Sequence, residues 1–324
     1  MSRAALVAVG GNALIADDQQ GTIAEQFDNA AAVARQVASL VEAGWRVVVT
    51  HGNGPQVGFI LLRSELADGK AFTPSLTLDM CVADSEGGVG YIVDNTLSNE
   101  LSRRGLHDRV ACLLTQTVVD AADPAFQHPS KPIGSACSAE EADRHRTQDG
   151  WHMVEDSGRG YRRIVASPRP LRIVEIQAIR ALLEAGLVVV AAGGGGIPVV
   201  ETEPGVYRGV EAVIDKDLAS AYLAASLDIP VLAITTGVEQ VAVHFRRPDQ
   251  RNLGCVRLSE VRRYLAEGEF PEGSMGPKIR AAIEFLERGG KEVVITSLGC
   301  LERALDGSRA TGTHIMRDQP GQED

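Results

Sequence analysis

Short apolar runs alternate with longer stretches of helical periodicity along most of the chain. Residues 4–9 (AALVAV) form the first run, and residues 24–43 carry apolar side chains at helical spacing until Gly44. Runs that are apolar on both faces and separated by helices predict a parallel sheet covered on both sides. The pattern predicts strands at 4–9, 46–50, 109–115, 187–191, 231–235 and 292–296, and helices at 24–43, 86–104, 174–185, 216–227 and 276–288.

The alternation breaks between about residues 117 and 165, where the chain is polar and holds several prolines and histidines. We interpret this stretch as an inserted subdomain, a lid, although a surface excursion without function would show the same pattern. The whole of residues 1–324 is otherwise predicted to be one α/β domain, with helices on both faces of a mainly parallel sheet. Residues 317–324 (RDQPGQED) are predicted to be a disordered tail.

Composition and charge narrow the classes of function. The chain has 324 residues, of which 44% are hydrophobic, and a formal net charge of −11 without a basic stripe, so nucleic acid is not an expected partner. No apolar run reaches the roughly 18 residues of a membrane span, and the N-terminal run is too short for a signal peptide. Five scattered cysteines without a CxxC pair are typical of a reducing compartment. We therefore predict a cytoplasmic protein that binds neither nucleic acid nor membrane.

Three glycine-bearing turns each follow a predicted strand. In a parallel sheet such turns meet at the carboxyl edge, where ligands bind in this architecture. Glycines there let backbone N–H groups converge on an anion, and a following helix N-terminus adds a favourable partial charge. These turns predict a phosphate or carboxylate site, although the four-glycine run alone could be a flexible connection. The turns are Gly10-Gly11-Asn12, Gly52-Asn53-Gly54 and Gly193 to Gly196.

Two common nucleotide-binding fingerprints are absent from the chain. No GxGxxG follows the first strand, and no GxxxxGK[ST] occurs anywhere. A Rossmann dehydrogenase and a P-loop protein are therefore disfavoured. If a nucleotide binds, another arrangement must hold it.

Two lysines lie where they could stabilise a phosphoryl group. Lys216 lies in Asp215-Lys216-Asp217 at the start of a predicted helix, and Lys278 follows Pro277 in the stretch GSMGPK. Phosphoryl transfer needs positive charge near the phosphoryl oxygens and little covalent help from the protein. Two lysines held by a carboxylate between them would supply that charge. The alternative is a solvated helix start, at which acidic residues are favoured by the helix dipole.

The chain resembles the carbamate kinases of the amino acid kinase superfamily along nearly its whole length. The matching stretches are long, and their order and spacing are those of the family. They are VGGNAL (9–14), THGNGPQVG (50–58), KPIG (131–134), GRGYRRIVASPRP (158–170), AAGGGGIPVV (191–200), EAVIDKDLAS (211–220) and GSMGPK (273–278).

The resemblance implies a three-layer α/β/α domain with the acceptor in its N-terminal half and ATP or ADP in residues of about 170–316. It implies that Lys216 and Lys278 stabilise the migrating phosphoryl group and that Asp217 holds both ammonium groups. Lys131 would then reach the acceptor from the lid. The implied acceptor contacts are Gly10, Gly11, Asn12, Gly52, Asn53, Gly54, Gly194 and Gly195. The implied nucleotide contacts are Lys216, Asp217, Thr236, Gly237, Val238, Ser274, Met275, Gly276, Pro277 and Lys278.

Members of this family are typically homodimers that use magnesium, and no protein ligand of the metal is assigned here. The chain departs from the family pattern at three places. KPIG continues as SAC (135–137) instead of proline and aromatics, and SEG (85–87) replaces the frequent Ser-Gln-Gly. On the nucleotide side, TGV (236–238) replaces Thr-Asp-Val.

The sequence therefore predicts a kinase that interconverts ATP plus carbamate with ADP plus carbamoyl phosphate. A relative that acts on another small carboxylate or carbamate is an alternative, because two departures lie on the acceptor side. A catalytically silent nucleotide-binding regulator is a second alternative. Its weakness is that a sensor would not require Lys216, Asp217 and Lys278 together.

Overall fold

A computed structural model describes residues 3–16, 19–67, 74–155, 160–271 and 273–318. Its strands are β1 (Ala4–Val9), β2 (Arg46–His51), β3 (Val110–Cys112), β4 (Gln116–Val118), β5 (Lys131–Cys137), β6 (Met153–Glu155), β7 (Tyr161–Val165), β8 (Arg172–Ile173), β9 (Val188–Val190), β10 (Ile197–Glu203), β11 (Val206–Gly209), β12 (Val231–Thr236), β13 (Ala242–Val243), β14 (Arg251–Asn252), β15 (Cys255–Arg257), β16 (Glu292–Ser297) and β17 (Thr313–Met316). Its α-helices are α1 (Ile23–Glu42), α2 (Gly54–Ala67), α3 (Leu78–Arg103), α4 (Ala139–Gln148), α5 (Ile176–Glu184), α6 (Lys216–Ser226), α7 (Leu258–Ala266), α8 (Met275–Glu287) and α9 (Leu301–Ala304).

The main sheet has eight strands in the order β15-β17-β16-β12-β1-β2-β9-β3. Its neighbouring strands pair in parallel, except that β16 and β17 are antiparallel. Strand β1 lies between β2 and β12, so the turns after these three strands meet at one edge. The predicted α/β fold class with a mainly parallel sheet is confirmed.

Alternate residues of β1 belong to two different cores, which defines the three layers. Leu6 packs in a cluster with buried residues of α5, α6, α7 and α8. Val7 and Val9 pack in a second cluster with residues of α1, α3 and α9. Because successive side chains of a strand point to opposite faces, both faces of β1 are buried under helices.

The first helix shows how local sequence sets the element boundaries. Thr22 and Glu25 form a capping box at the start of α1, in which each side chain accepts from the other residue's backbone N–H. Gly44 follows the end of the helix with a φ of +82°, a conformation that glycine adopts without steric cost. These two signals are readable in the sequence, and the predicted bounds differ by one residue at each end.

Two predicted boundaries were wrong. The helix predicted at 86–104 begins at Leu78; its first two turns bury Leu78, Cys81 and Val82 at helical spacing, a signal that the prediction missed. The strand predicted at 109–115 ends at Cys112, and the chain then enters β4 of another sheet. Of the tail predicted to be disordered, Asp318 accepts hydrogen bonds from Ser259, and residues 319–324 lie outside the described residues.

The predicted insert contains a separate three-stranded antiparallel sheet in the order β5-β7-β6, together with α4. We call residues 131–165 of this unit the lid. Strand β5 crosses α2 so closely that a Cβ on Gly58 would lie 2.0 Å from the Cα of Gly134. An ion pair of 3.0 Å between Arg163 and Glu65 adds a second contact between the lid and α2. The extent of the insert, 117–165, stays a prediction.

Strands β11, β10, β4 and β8 form a further four-stranded sheet beside the main one. Within the part of the chain that the structure describes, no helix is long and apolar enough to cross a membrane.

Candidate active site

A cleft of about 1430 Å³ lies at the carboxyl edge of the main sheet. It gathers the three glycine turns, the lid and the start of α8, which are far apart in the sequence. Asn12 has a side chain outside the described residues, and Gly195 and Gly276 do not line the cleft. The sequence-predicted residues that do line it are Gly10, Gly11, Gly52, Asn53, Gly54, Lys131, Gly194, Lys216, Asp217, Thr236, Gly237, Val238, Ser274, Met275, Pro277 and Lys278.

Asp217 holds two lysines at the centre of the cleft. The Nζ atom of Lys216 lies 2.5 Å from Oδ1 of Asp217, and that of Lys278 lies 3.3 Å from Oδ2. Each lysine therefore uses a different oxygen of one carboxylate. The predicted grouping of two ammonium groups around Asp217 is present in the structure.

Burial and charge shift the ionisation of this cluster in opposite directions. The Asp217 side chain is 5% exposed; burial opposes its ionisation, but the charges of Lys216 and Lys278 outweigh burial and hold its pKa below the usual range. The pKa of Lys216 is lowered, because burial and the neighbouring Lys278 disfavour a charge that Asp217 favours. The carboxylate thus stays ionised and keeps two closely spaced cations together.

Lys131 reaches the same site from the lid. Its Nζ lies 2.6 Å from Oδ2 of Asp215, a residue 84 positions away in the sequence. The other oxygen of Asp215 caps α6 by accepting from the backbone N–H groups of Asp217 and Leu218. Burial lowers the pKa of Lys131, but the charge of Asp215 outweighs it and leaves the pKa above the usual value. Asp215 thereby joins the lid to the helix that carries Lys216.

The four-glycine run forms a buried turn on the side of the cleft where the acceptor is predicted to bind. Gly193–Gly195 is a short 3-10 turn, and Gly194, Gly195 and Gly196 all have positive φ. A Cβ on Gly194 would lie 2.0 Å from Nδ2 of Asn53, so this close approach requires glycine. An exposed flexible connection is therefore not what this run forms.

The N–H groups of several predicted turn residues are used inside the protein. Gly10 N–H donates to Oγ1 of Thr235, and Gly52 N–H donates to the carbonyl oxygen of Val9. These bonds fix the two turns on neighbouring strands. The backbone of these two turns, which lines the cleft, is therefore held in place by the main sheet.

The side of the cleft where the nucleotide is predicted to bind is open at Gly237. Gly237 follows β12, and a Cβ built on it would have no heavy atom within 4 Å. Its φ is also outside the left-handed region, so the backbone there does not require glycine. Further residues line this side that the sequence analysis did not single out, among them Gln240, Phe245, Gln250 and Asn252.

The chain is similar to known proteins over almost its whole length. The model described as the Amino acid kinase family matches residues 3–297. The chain belongs to the amino acid kinase family. Carbamate kinase-like protein YahI of Escherichia coli is 48% identical over 318 residues, which cover 98% of this chain and all of that protein. Carbamate kinase of Thermococcus kodakarensis is 45% identical over 314 residues, covering 97% of this chain and 99% of that protein.

Solved structures agree with this family assignment. Carbamate kinase from Giardia lamblia bound to AMP-PNP superposes with a TM-score of 0.88 at 40% identity. The match covers 98% of this chain and 99% of that chain. The predicted amino acid kinase fold is thereby confirmed over almost the whole molecule.

Four residues outside the predicted set matter for the site. Asp215 was considered only as a helix start, and Arg162 of β7 lines the cleft beside the lid lysine. Ser85 and Glu86 on α3 lie behind the acceptor side, each 1% exposed. The departure of Glu86 from the family's Ser-Gln-Gly was the signal in the sequence, but the contacts of Ser85 and Glu86 were not predictable from it.

No metal cluster accompanies these groups in the described ranges. Nowhere in residues 3–16, 19–67, 74–155, 160–271 and 273–318 do three or more His, Cys, Asp or Glu side chains form a group that could hold a metal ion. Of the three carboxylates that line the cleft, Asp215 and Asp217 are paired with lysines and Glu239 is exposed. The residues present therefore do not form a protein-held metal site.

Proposed function

We propose that this protein is a carbamate kinase, which interconverts ATP plus carbamate with ADP plus carbamoyl phosphate. The observation that carries the proposal is the pairing of Lys216 and Lys278 on Asp217, between a glycine wall and an open nucleotide side. Relatives named carbamate kinase at 43–45% identity over nearly the full chain support the same substrate class.

In the ATP-forming direction, a β-phosphate oxygen of ADP attacks the phosphorus of carbamoyl phosphate. The bond from phosphorus to the carbamoyl oxygen breaks, and carbamate leaves with the electron pair. Negative charge spreads over the phosphoryl oxygens, which the ammonium groups of Lys216 and Lys278 would stabilise. Because a carboxyl-type leaving group needs no proton, this chemistry requires no general acid from the protein.

The lid would supply a positive charge that binds the negatively charged carbamate or carbamoyl phosphate. Lys131 is already turned into the cleft by Asp215, and its ammonium group has three donors of which Asp215 uses one. A carbamate or carbamoyl phosphate oxygen could accept from another. Lys131 would thus bind the acceptor while it stays tied to α6.

ATP or ADP is the proposed nucleotide, supported by the relative whose structure contains AMP-PNP. Magnesium is proposed to arrive with the nucleotide, held by its phosphates, since Asp215 and Asp217 are used by lysines.

A cytoplasmic location and a homodimer are proposed in addition. Several large apolar side chains on α2 and α3 are exposed, which would suit an interface between copies. They are Leu62, Leu66, Met80 and Tyr91. Sedimentation at two protein concentrations tests the dimer.

The deciding experiment measures ATP formation from ADP and carbamoyl phosphate, beside acetyl phosphate and other acyl phosphates. We expect carbamoyl phosphate to have the highest kcat/KM of the set. A higher kcat/KM for another acyl phosphate would identify a relative with a different acceptor, which the altered residues 135–137 would favour. Nucleotide binding without any transfer would indicate a silent regulator.

A further inference from the structure

Two adjacent residues of α3, Ser85 and Glu86, hold the acceptor side of the cleft from behind. The side-chain amide of Asn53 donates to Oγ of Ser85 at 2.8 Å. The backbone N–H of Gly193 donates to Oε1 of Glu86 at 3.0 Å, and that of Thr115 donates to Oε2 at 3.1 Å. One turn of helix thus fixes both Asn53 and the start of the glycine turn.

The glycine turn needs such support because its backbone is strained. Ala192, which precedes it, has a φ of +50°, a conformation that a non-glycine residue adopts only when its surroundings enforce it. The hydroxyl of Thr115 accepts from Ala192 N–H at 2.9 Å, and the hydroxyl of Thr117 donates to Gly195 carbonyl. Glu86 binds both the turn and Thr115, so it links the strained segment to its other support.

We propose that Ser85 and Glu86 are positioning residues that set the geometry of the acceptor site by fixing Asn53 and the turn at Gly193–Gly196. Neither residue lines the cleft. The inference rests on the proposed function, since it assigns the acceptor to this side of the cleft. It predicts that changes at the two residues alter use of the acceptor and spare the use of ADP.

The proposed positioning role of Glu86 depends on its protonation state and therefore on pH. Both oxygens of the carboxylate accept an N–H, whereas protonation puts a hydrogen on one oxygen and weakens its bond. Burial raises the pKa of Glu86 to about 8, although its two backbone donors lower it and Glu175 adds a small increase. Glu86 therefore ionises as the pH rises through about 8, and both of its oxygens then accept an N–H without a competing proton.

The neighbouring ionisable groups do not share this pH dependence. Burial lowers the pKa of His51 to about 4, so His51 stays neutral between pH 7 and 9.5. Lys216, whose pKa is lowered, would lose charge as pH rises and so reduce turnover. Its effect is opposite in sign to that of Glu86.

The test measures kcat/KM for carbamoyl phosphate and for ADP between pH 7 and 9.5. In the wild type we expect kcat/KM for carbamoyl phosphate to rise about fivefold with pH, with a midpoint near pH 8. A change of about fivefold is what weakening one hydrogen bond to a charged group produces. Glu86→Gln should show no rise and stay at the low-pH level, because an amide has only one accepting oxygen. Glu100→Gln, the same change further along α3, should keep the rise.

Ser85→Ala is the milder second variant. It should raise the acceptor KM about twofold to tenfold, keep the pH step and leave the ADP KM within about twofold. An ADP KM that changes as much as the acceptor KM in either variant would overturn the positioning role.

The wild type alone also decides the matter if Glu86→Gln does not fold. An active wild type with a flat acceptor profile from pH 7 to 9.5 overturns this inference and leaves the proposed function standing. A wild type that uses no acyl phosphate overturns both.

Discussion

Two buried carboxylates, one in the cleft and one behind its glycine turn, have opposite surroundings. Asp217 lies between two lysines, which hold its pKa below the usual range despite burial. Glu86 lies behind the glycine turn, where it accepts two backbone N–H groups, and burial raises its pKa to about 8. The side-chain acid is the same, so the partners decide its ionisation.

The difference corresponds to two ways of binding an anion. On the lysine side, the ionised carboxylate of Asp217 holds two ammonium groups where they can stabilise a phosphoryl group. On the glycine side, neutral backbone shapes the site, and a carboxylate behind it fixes that shape. We expect the first side to govern turnover and the second to govern use of the acceptor.

The largest effect is expected on the lysine side. Lys216→Ala and Lys278→Ala should each lower kcat by at least about a hundredfold, because each removes a charge that matters most in the transition state. Steady-state kinetics with a thermal unfolding check would measure this. Lys291→Ala, an exposed lysine outside the cleft, is the matched control. Near-normal kcat in either cleft variant would contradict the roles assigned here.

On the glycine side, Gly194→Ala should lower kcat/KM for the acceptor about tenfold to a hundredfold. The new Cβ would lie 2.0 Å from the Asn53 side chain, at a φ of +66° that strains a non-glycine residue. Initial rates with varied carbamoyl phosphate, and then varied ADP, separate the two substrates. Gly254→Ala, where a Cβ meets nothing within 4 Å, serves as control. An equal loss for ADP would mean that the turn supports both halves of the site.

The lid tests whether Lys131 belongs with the acceptor. Lys131→Ala should raise the acceptor KM about tenfold, since it removes a charged donor, and change ADP affinity less than about twofold. Calorimetric titration with ADP complements the kinetics. Arg144→Ala, an exposed lid cation, should change neither value. A collapse of ADP affinity would place the lid over the nucleotide instead.

The smallest effect concerns stability. In the folded state the pKa of Glu86 is raised from 4.5 to about 8. The contribution of Glu86 to the stability of the folded protein is therefore fully present below pH 4.5 and is lost as the pH rises to 8. The melting temperature of Glu86→Gln relative to the wild type should therefore increase by a few degrees between pH 5.5 and 9.

Glu100→Gln provides the control for that measurement. Its partner Arg104 lowers the pKa of Glu100, so its contribution is lost only as pH falls through acid values. The melting difference should then be flat above pH 5.5. A parallel result for Glu86→Gln would mean that Glu86 does not titrate in this range.

The sequence by itself determined the layered fold and the motifs that meet at the cleft. Apolar periodicity and capping residues such as Thr22 act within a few residues, so six of the eight strands of the main sheet could be predicted, as could α1, α5, α6 and α8 to within two residues. The glycine turns and the motif around Lys216 are equally local signals. Because parallel strands place their following turns at one edge, the sequence also predicted that these motifs meet.

Only the tertiary structure decided two of the pairings. Lys131 and Asp215 are 84 residues apart, and Glu86 and Gly193 are 107 apart, whereas the pairing of Lys278 with Asp217 was already implied by the family resemblance. Each pairing depends on strand order and on the crossing of the lid over α2, neither of which leaves a local pattern. The ionisation of Glu86 was likewise undetermined by its sequence, since burial and backbone donors that set a pKa exist only in the folded chain.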